Sequence, residues 1–217
     1  MLGSASSAIV ARVSLDDLFF ARISEPARFR EAIRRFDELN AVDPNRELIN
    51  GRHQPHELLQ AQRLSQWVIT LAPDASEVLR LAARSQHLCR WEIPRANYEL
   101  TRAGYHQWRT GLKKFHAEKS AAVLRAVGYG EDLVAQVQAL NLKKNFPAAP
   151  ESRVLEDALC LVFLQFQFAE LAAKTEESKV INALQKSWHK MTEAGRAEAL
   201  KLDYGPREKG LLARALG

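Results

Sequence analysis

The stretch LEDALCLVFLQFQF, residues 155–168, decides the fold of this 217-residue chain. It is strongly apolar, but the polar side chains of Glu156, Asp157, Gln165 and Gln167 interrupt it. It is also shorter than the roughly 20 apolar residues that a membrane-spanning helix needs. We therefore predict a central core helix rather than a membrane segment, and no membrane partner.

Apolar residues recur at helical spacing on both sides of this stretch, and no segment has the alternation of a strand. The sequence predicts an all-α fold, one domain of about seven to nine helices over residues 26–217. Residues 1–25 are predicted to be a weakly packed or flexible extension. The individual helices are predicted at Pro26–Leu39, Pro55–Leu71, Ser76–Trp91, Arg102–Val127, Glu131–Lys144, Ser152–Ala173, Glu177–His189 and Thr192–Leu202.

Composition limits the class of protein and of partner. Hydrophobic residues make up 47% of the chain, enough for a sizeable core, and the formal net charge of +5 mildly favours anionic partners. Two cysteines, Cys89 and Cys160, are too few for a secreted disulfide framework. We expect two buried thiols in a reducing, cytoplasmic setting. Residues 1–15 lack a long apolar core and do not predict a secretory signal, although a targeting segment is an alternative to a flexible extension.

Three segments together resemble the HD superfamily of all-α metal phosphohydrolases. They are LAARSQHLCRW at 81–91, FHAEKSAAVLRAVGYGEDL at 115–133 and VLEDALCLVFL at 154–164. Their order, spacing and apolar context are similar to those of the superfamily over about Leu58 to Phe168. The resemblance implies an HD-like helical bundle with a pocket where these segments meet.

The same resemblance implies a degenerate metal site. Glutamine is a poor ligand for transition metals, and lysine adds positive charge. His116 and Asp157 match ligand positions of the superfamily. The remaining positions are occupied by Gln60, by Gln86 and His87 in place of the His-Asp pair, and by Lys143 or Lys144.

A cationic face is predicted on the helix Arg102–Val127. Residues seven apart nearly overlay on a helix, so Arg102, Arg109 and His116 share a face, with Lys113 between the last two. Arg84 and Arg95, on and after the preceding helix, extend this basic neighbourhood around His87. The alternative is an ordinary solvated face of charges.

Asp157 projects from an apolar helix face. A buried carboxylate needs a partner, because desolvating an isolated charge is costly. We expect the partner to be His87, His116 or an arginine, with stabilisation by the helix N-terminus as the alternative.

A second resemblance covers the chain from about Phe29 to its end. The motifs DPN at 43–45, QHLCRWEIPR at 86–95 and RAGYHQWR at 102–109 are similar to those of a domain-of-unknown-function family sometimes labelled as tRNA-synthetase-related. No synthetase nucleotide-binding motif accompanies them, so this resemblance implies no chemistry.

The leading hypothesis is a basic pocket for a phosphorylated or nucleotide-like ligand, with metal-independent hydrolase or lyase activity. His87 or His116 would act as general acid or base, oriented by Asp157, and no cofactor is predicted. The ligand-binding residues are predicted to be Gln60, Arg84, Gln86, Arg95, Arg102, Arg109, Lys113, Lys143 and Lys144.

Two other functions stay open on the sequence. One is a non-catalytic module that binds a nucleotide or RNA through the same basic surface. The other is a mononuclear iron enzyme in which His87, His116 and Asp157 hold the metal, because two histidines and a carboxylate suit iron(II).

Overall fold

The computed structural model describes residues 14–217, which form eleven α-helices and one β-hairpin. The all-α prediction is confirmed. No helix within these residues combines the length and the apolarity needed to cross a bilayer. The elements are α1 (Leu15–Phe20), α2 (Pro26–Ala41), β1 (Arg46–Ile49), β2 (Arg52–Pro55), α3 (His56–Leu71), α4 (Glu77–Ser85), α5 (Arg102–Val127), α6 (Glu131–Leu142), α7 (Pro150–Val162), α8 (Phe168–Lys174), α9 (Glu177–Lys190), α10 (Glu193–Ala199) and α11 (Pro206–Leu216).

Two hydrophobic cores share helix α7. Leu155, Ala158 and Val162 pack into the larger core, which joins α7 to helices α1 to α6. Cys160 and Leu161 on the same helix pack into a smaller core with α8 to α11. The helix predicted from residues 155–168 is therefore central, as expected, because its apolar surface faces neighbours on two sides. Both cysteines are buried free thiols, as predicted.

The packed part of the domain starts before residue 26. Phe19 of α1 is buried in the larger core. The buried guanidinium of Arg80 donates to the carbonyl oxygens of Phe19 and Ala21, at 3.0 and 2.6 Å. These hydrogen bonds satisfy backbone acceptors at the end of α1. The predicted extension 1–25 thus contains packed structure from α1 onward, while residues 1–13 lie outside the described part of the chain.

The prediction that no strand forms is wrong for residues 46–55. Strands β1 and β2 pair antiparallel, with Arg46 opposite Pro55 and Ile49 opposite Arg52. Asn50 and Gly51 connect them with φ of 50° and 76°. Positive φ at both turn positions is the geometry that joins two strands tightly, and Asn-Gly adopts it at low cost.

Three features of the helices also differ from prediction: one boundary, one interruption and one additional helix. Helix α4 ends at Ser85 rather than Trp91, and the chain continues through a turn to the left-handed residue Cys89. The long helix predicted over Ser152–Ala173 is interrupted by a π-helical segment, Phe163–Gln167, between α7 and α8. Helix α11 follows the last predicted helix and packs on α9 in the smaller core.

The partner of Asp157 is neither a histidine nor an arginine, so that prediction is wrong. Its carboxylate accepts the backbone N–H of Thr192 at 2.8 Å and the Thr192 hydroxyl at 2.5 Å. The Thr192 hydroxyl oxygen in turn accepts the N–H of Gly195 at 3.2 Å. Asp157 therefore stabilises the start of α10, where backbone donors lack partners within the helix.

Gly195→Ala is expected to destabilise the fold. A Cβ at residue 195 would lie 2.6 Å from Cγ of Asp157, whose position the Thr192 bonds hold. We expect urea unfolding to show a loss of about 1–3 kcal/mol, the usual cost of overpacking. The matched control is Gly210→Ala, where a Cβ meets nothing within 4 Å. That change should gain about 0.5–1 kcal/mol from helix propensity. Equal effects of the two substitutions would contradict this account of Gly195.

Candidate functional site

A left-handed residue after α4 shapes the site. Cys89 has φ of 54°, and its N–H donates to Oδ1 of the buried Asn40 at 3.0 Å. Such a conformation is uncommon for a residue with a side chain, and it prevents the helix from resuming after the turn at residues 86–89. His87 and Arg90 flank this turn, and both line the cleft described below.

His116 of α5 meets His87 at this turn. The two imidazole rings lie 5.9 Å apart between centroids. Nδ1 of the buried His116 is 2.9 Å from the carbonyl oxygen of Leu88. Because a carbonyl only accepts, Nδ1 carries the proton and Nε2 is left as an acceptor. Nε2 is buried and has no hydrogen-bond partner among the described residues.

The histidines line a chamber of about 330 Å³ that is rich in cations. Glu156 is the carboxylate of its wall, and it pairs with Lys143 and, at 3.2 Å, with Lys190. Arg109 and Lys113 form no ion pair within residues 14–217. The polar residues of this first chamber are Gln86, His87, Arg90, Tyr105, Arg109, Lys113, His116, Lys143, Glu156, Ser187 and Lys190.

Burial and mutual repulsion lower the proton affinity of the chamber's bases. Burial, and then Arg90, His116 and Arg109, hold the pKa of His87 well below its usual range. Burial lowers the pKa of His116 to about 4, although its bond to the Leu88 carbonyl opposes this. Burial also lowers the pKa of Lys113. The first chamber therefore contains neutral imidazoles among several cations. Its described wall has a net positive charge, because Glu156 is its only carboxylate.

A second chamber of about 530 Å³ continues the first, because His87, Arg90, Arg109 and Phe163 line both. Glu57 lines this second chamber and is buried, with a relative exposure of 4%. Its Oε1 lies 3.7 Å from Nε of Arg90, and its Oε2 lies 3.9 Å from Nδ1 of His87 and makes no hydrogen bond in the described residues. Burial raises the pKa of Glu57 to about 8, so its carboxyl group is protonated at neutral pH.

The DPN motif positions Glu57. Oδ2 of the buried Asp43 accepts the Glu57 N–H at 2.9 Å, and its Oδ1 accepts the Asn45 N–H at 2.8 Å. Asn40 donates to the Glu57 carbonyl at 3.4 Å. The same Asn40 side chain therefore holds both the start of α3 and the turn that carries His87.

Seven of the predicted site residues line this two-chamber cleft. Gln60 lies in the second chamber, where its amide bonds Glu47 and Gln167, each at 3.0 Å. The other six lie in the first chamber, and they are Gln86, His87, Arg109, Lys113, His116 and Lys143.

Five predicted site residues lie elsewhere, and the prediction that they join one pocket is wrong. Arg84 forms a bidentate pair with Asp37, at 2.7 and 2.8 Å, in a separate depression. Arg95 donates to the carbonyls of Tyr98 and Glu99 and so holds the loop before α5. The remaining three line neither chamber: Arg102 and Lys144 are exposed, and Asp157 is used at α10.

Several wall residues were missed by the sequence analysis. Arg90 belongs to the quoted QHLCRW motif, whose turn was interpreted as continuous helix. Glu57 carries a weak signal, because it is the single acidic residue of α3. Lys190 carried no such signal. It lies on α9, and no sequence motif connects that helix with the histidines. Other wall residues that were not predicted include Tyr105, Glu156, Phe163 and Gln167.

A metal site finds no support in the part of the chain described. No group of three or more His, Cys, Asp or Glu side chains within residues 14–217 is arranged to hold an ion. In particular His87, His116 and Asp157 do not converge, because Asp157 bonds Thr192.

Glu57→Gln is expected to change how stability depends on pH. The folded carboxyl keeps its proton to a pKa of about 8, against an ordinary value of 4.5. Between these values the folded state binds more protons, so unfolding free energy falls as pH rises. From pH 5.5 to 8 we expect the variant to gain about 3 kcal/mol relative to wild type in urea unfolding. The exposed Glu99→Gln serves as control, and its difference from wild type should stay constant. A constant difference for Glu57→Gln as well would contradict the raised pKa.

Comparison with known proteins gives a family. The model described as a domain of unknown function, DUF4202, matches residues 30–212. The match includes every wall residue of both chambers. No curated protein and no solved structure matches the chain. Because the match spans most of the chain, the sequence-based prediction of a domain-of-unknown-function family is confirmed, and the chain belongs to the DUF4202 family.

Proposed function

We propose that the first chamber binds a phosphorylated ligand. The observation that carries the proposal is the surplus of cations around a cavity with one carboxylate. Arg90, Arg109, Lys113, Lys143 and Lys190 line it, and Glu156 offsets only part of their charge. Gathering like charges is unfavourable unless an anion offsets them.

Phosphate suits these groups better than a single negative charge does. The guanidinium of Arg109 offers paired donors that match two phosphate oxygens, whereas Lys113 acts as a point charge. Within residues 14–217, neither side chain has an ion pair that the ligand must first displace. The phosphate is thus bound between α5 and the lysines that come from the ends of α6 and α9.

The same chamber contains groups for acid–base chemistry without a metal. Nε2 of His116 is an acceptor held in place by the Leu88 carbonyl, and it takes a proton from a water or a hydroxyl of the ligand. The surrounding cations stabilise charge that develops on phosphate oxygens, which is part of what a metal does elsewhere. We propose hydrolysis or elimination at the phosphate ester as the reaction class, with His87 as the second acid–base group.

Kinship with the HD superfamily is part of this proposal. Two of its three resembling segments, 81–91 and 115–133, contribute His87 and His116 to one chamber. The third contributes Glu156, whereas Asp157, the residue at the superfamily's ligand position, faces α10. What supports the kinship is this convergence on one cleft.

A non-catalytic nucleotide- or RNA-binding module is the second candidate function. The observation in its favour is the exposed basic side of the cleft, where Lys190 is half exposed. RNA binding predicts an affinity that falls steeply with salt over a long footprint, whereas a small ligand engages few charges. Titration of a short RNA at two salt concentrations separates the two.

Arg109→Gln and Lys113→Gln are expected to weaken phosphate binding. Titration calorimetry with pyrophosphate should show Kd rising about tenfold for each variant, the loss of about one charge-assisted hydrogen bond. Arg207→Gln and Lys209→Gln are matched controls, because both residues are exposed and line neither chamber.

Three results would count against the proposal. The first is the absence of pyrophosphate binding to wild type. The second is equal weakening by the two controls, which would indicate a non-specific charge effect. The third is binding that requires iron or another divalent metal and disappears with chelator, which would contradict a metal-independent site.

A further inference from the structure

The second chamber differs chemically from the first, although the two share a wall. Within it Glu170 pairs with Lys174 at 2.6 Å, so these two charges offset each other, and Nδ1 of His56 lies 2.7 Å from Glu47, just outside the chamber wall. A second anionic group of a ligand would meet no surplus of cations beyond Arg90 and Arg109, which belong equally to the first chamber.

The polar groups that remain there are neutral hydrogen-bonding groups. Oε2 of Glu57 is buried and has no hydrogen-bond partner in the described part of the chain, and the carboxyl group is protonated at neutral pH because burial raises its pKa to about 8. A protonated carboxyl group presents one donor and one acceptor side by side. The amides of Gln60 and Gln167, joined at 3.0 Å, add further donors and acceptors.

A planar apolar surface completes the chamber. Phe163 is half-buried and lines both chambers, and Leu171 lines the second. Phe163 and Gln167 are the two ends of the π-helical segment, and π-helical turns are frequent at functional sites. The segment brings an aromatic ring and an amide from one stretch of chain to the same wall.

We propose that the second chamber binds a nucleobase, so that the ligand of the cleft is a nucleoside phosphate rather than a free or sugar phosphate. This inference rests on the proposed function, since the phosphate must occupy the first chamber. The base stacks on Phe163 and pairs its edge with Glu57 and Gln167. Bases offer adjacent donors and acceptors along their edges, which is the pattern complementary to a carboxyl or amide group.

Titration calorimetry with six probes tests this: the four nucleoside 5′-monophosphates with adenine, guanine, cytosine and uracil, ribose 5-phosphate, and pyrophosphate. We expect at least one nucleotide to bind about tenfold more tightly than ribose 5-phosphate, as a stacked and hydrogen-bonded base should. Gln167→Ala should reduce that preference to about twofold or less while leaving the Kd of ribose 5-phosphate nearly unchanged.

Two further variants make the result specific. Gln136→Ala removes an exposed glutamine from α6 and should leave the preference intact. Glu57→Leu removes the buried carboxyl group and should also lower the preference. Thermal unfolding of each variant verifies that it is folded, and Gln167→Ala, at a half-buried position, provides the test if Glu57→Leu does not fold.

The outcomes separate this inference from the proposed function. If pyrophosphate binds through Arg109 but no nucleotide exceeds ribose 5-phosphate, the nucleobase assignment is overturned and the phosphate site stands. If a nucleotide is preferred but Gln167→Ala and Glu57→Leu leave the preference unchanged, the base binds elsewhere and the assignment of this chamber is overturned. If none of the six probes binds, the proposed function itself fails.

Discussion

The cleft depends on the hydrogen bond between Asn40 and the N–H of Cys89. A backbone N–H buried at a left-handed residue would be costly without an acceptor. Asn40 supplies that acceptor from α2 and uses its amide nitrogen for the carbonyl of Glu57. One buried amide therefore fixes the break after α4 and the start of α3. Because His87 and Glu57 lie on these two segments, Asn40 helps to bring them to 3.9 Å, together with Asp43, which binds the Glu57 N–H.

Repulsion between the cations of the cleft lowers the stability of the fold. Lys143 and Lys190 share the buried carboxylate of Glu156, whose pKa is lowered by the lysines although burial opposes this. Arg109 and Lys113 are left without such a partner in the described structure. A protein keeps uncompensated like charges in one cavity at a cost in folding free energy, and ligand-binding sites are where such costs are usually found.

The helices could be predicted well from the sequence, whereas the residues of the site could be predicted only in part. Helical periodicity identifies α5 and α7 because their apolar faces are long and regular. It did not locate the turn at Cys89, since a left-handed break depends on Asn40, distant in the sequence. Nor did it assign Asp157, because the competing partner, Thr192, lies on a helix start with no signal that links it to α7. Positions inside regular elements are predictable from local pattern, whereas partners that meet across the fold are not.

The π-helical segment between α7 and α8 has a consequence for how the chain tolerates length changes. A π turn contains one residue more than the α-helical turn it replaces. If the same residues formed a continuous α-helix, α8 would be rotated by about 100° further relative to α7, because each residue of an α-helix advances the chain by about 100°. Phe168 would then leave the smaller core, in which it is fully buried. The wide turn thus absorbs one residue of the chain. Removing a residue within it leaves the apolar sides of α7 and α8 in their present directions, whereas removing one inside either helix does not.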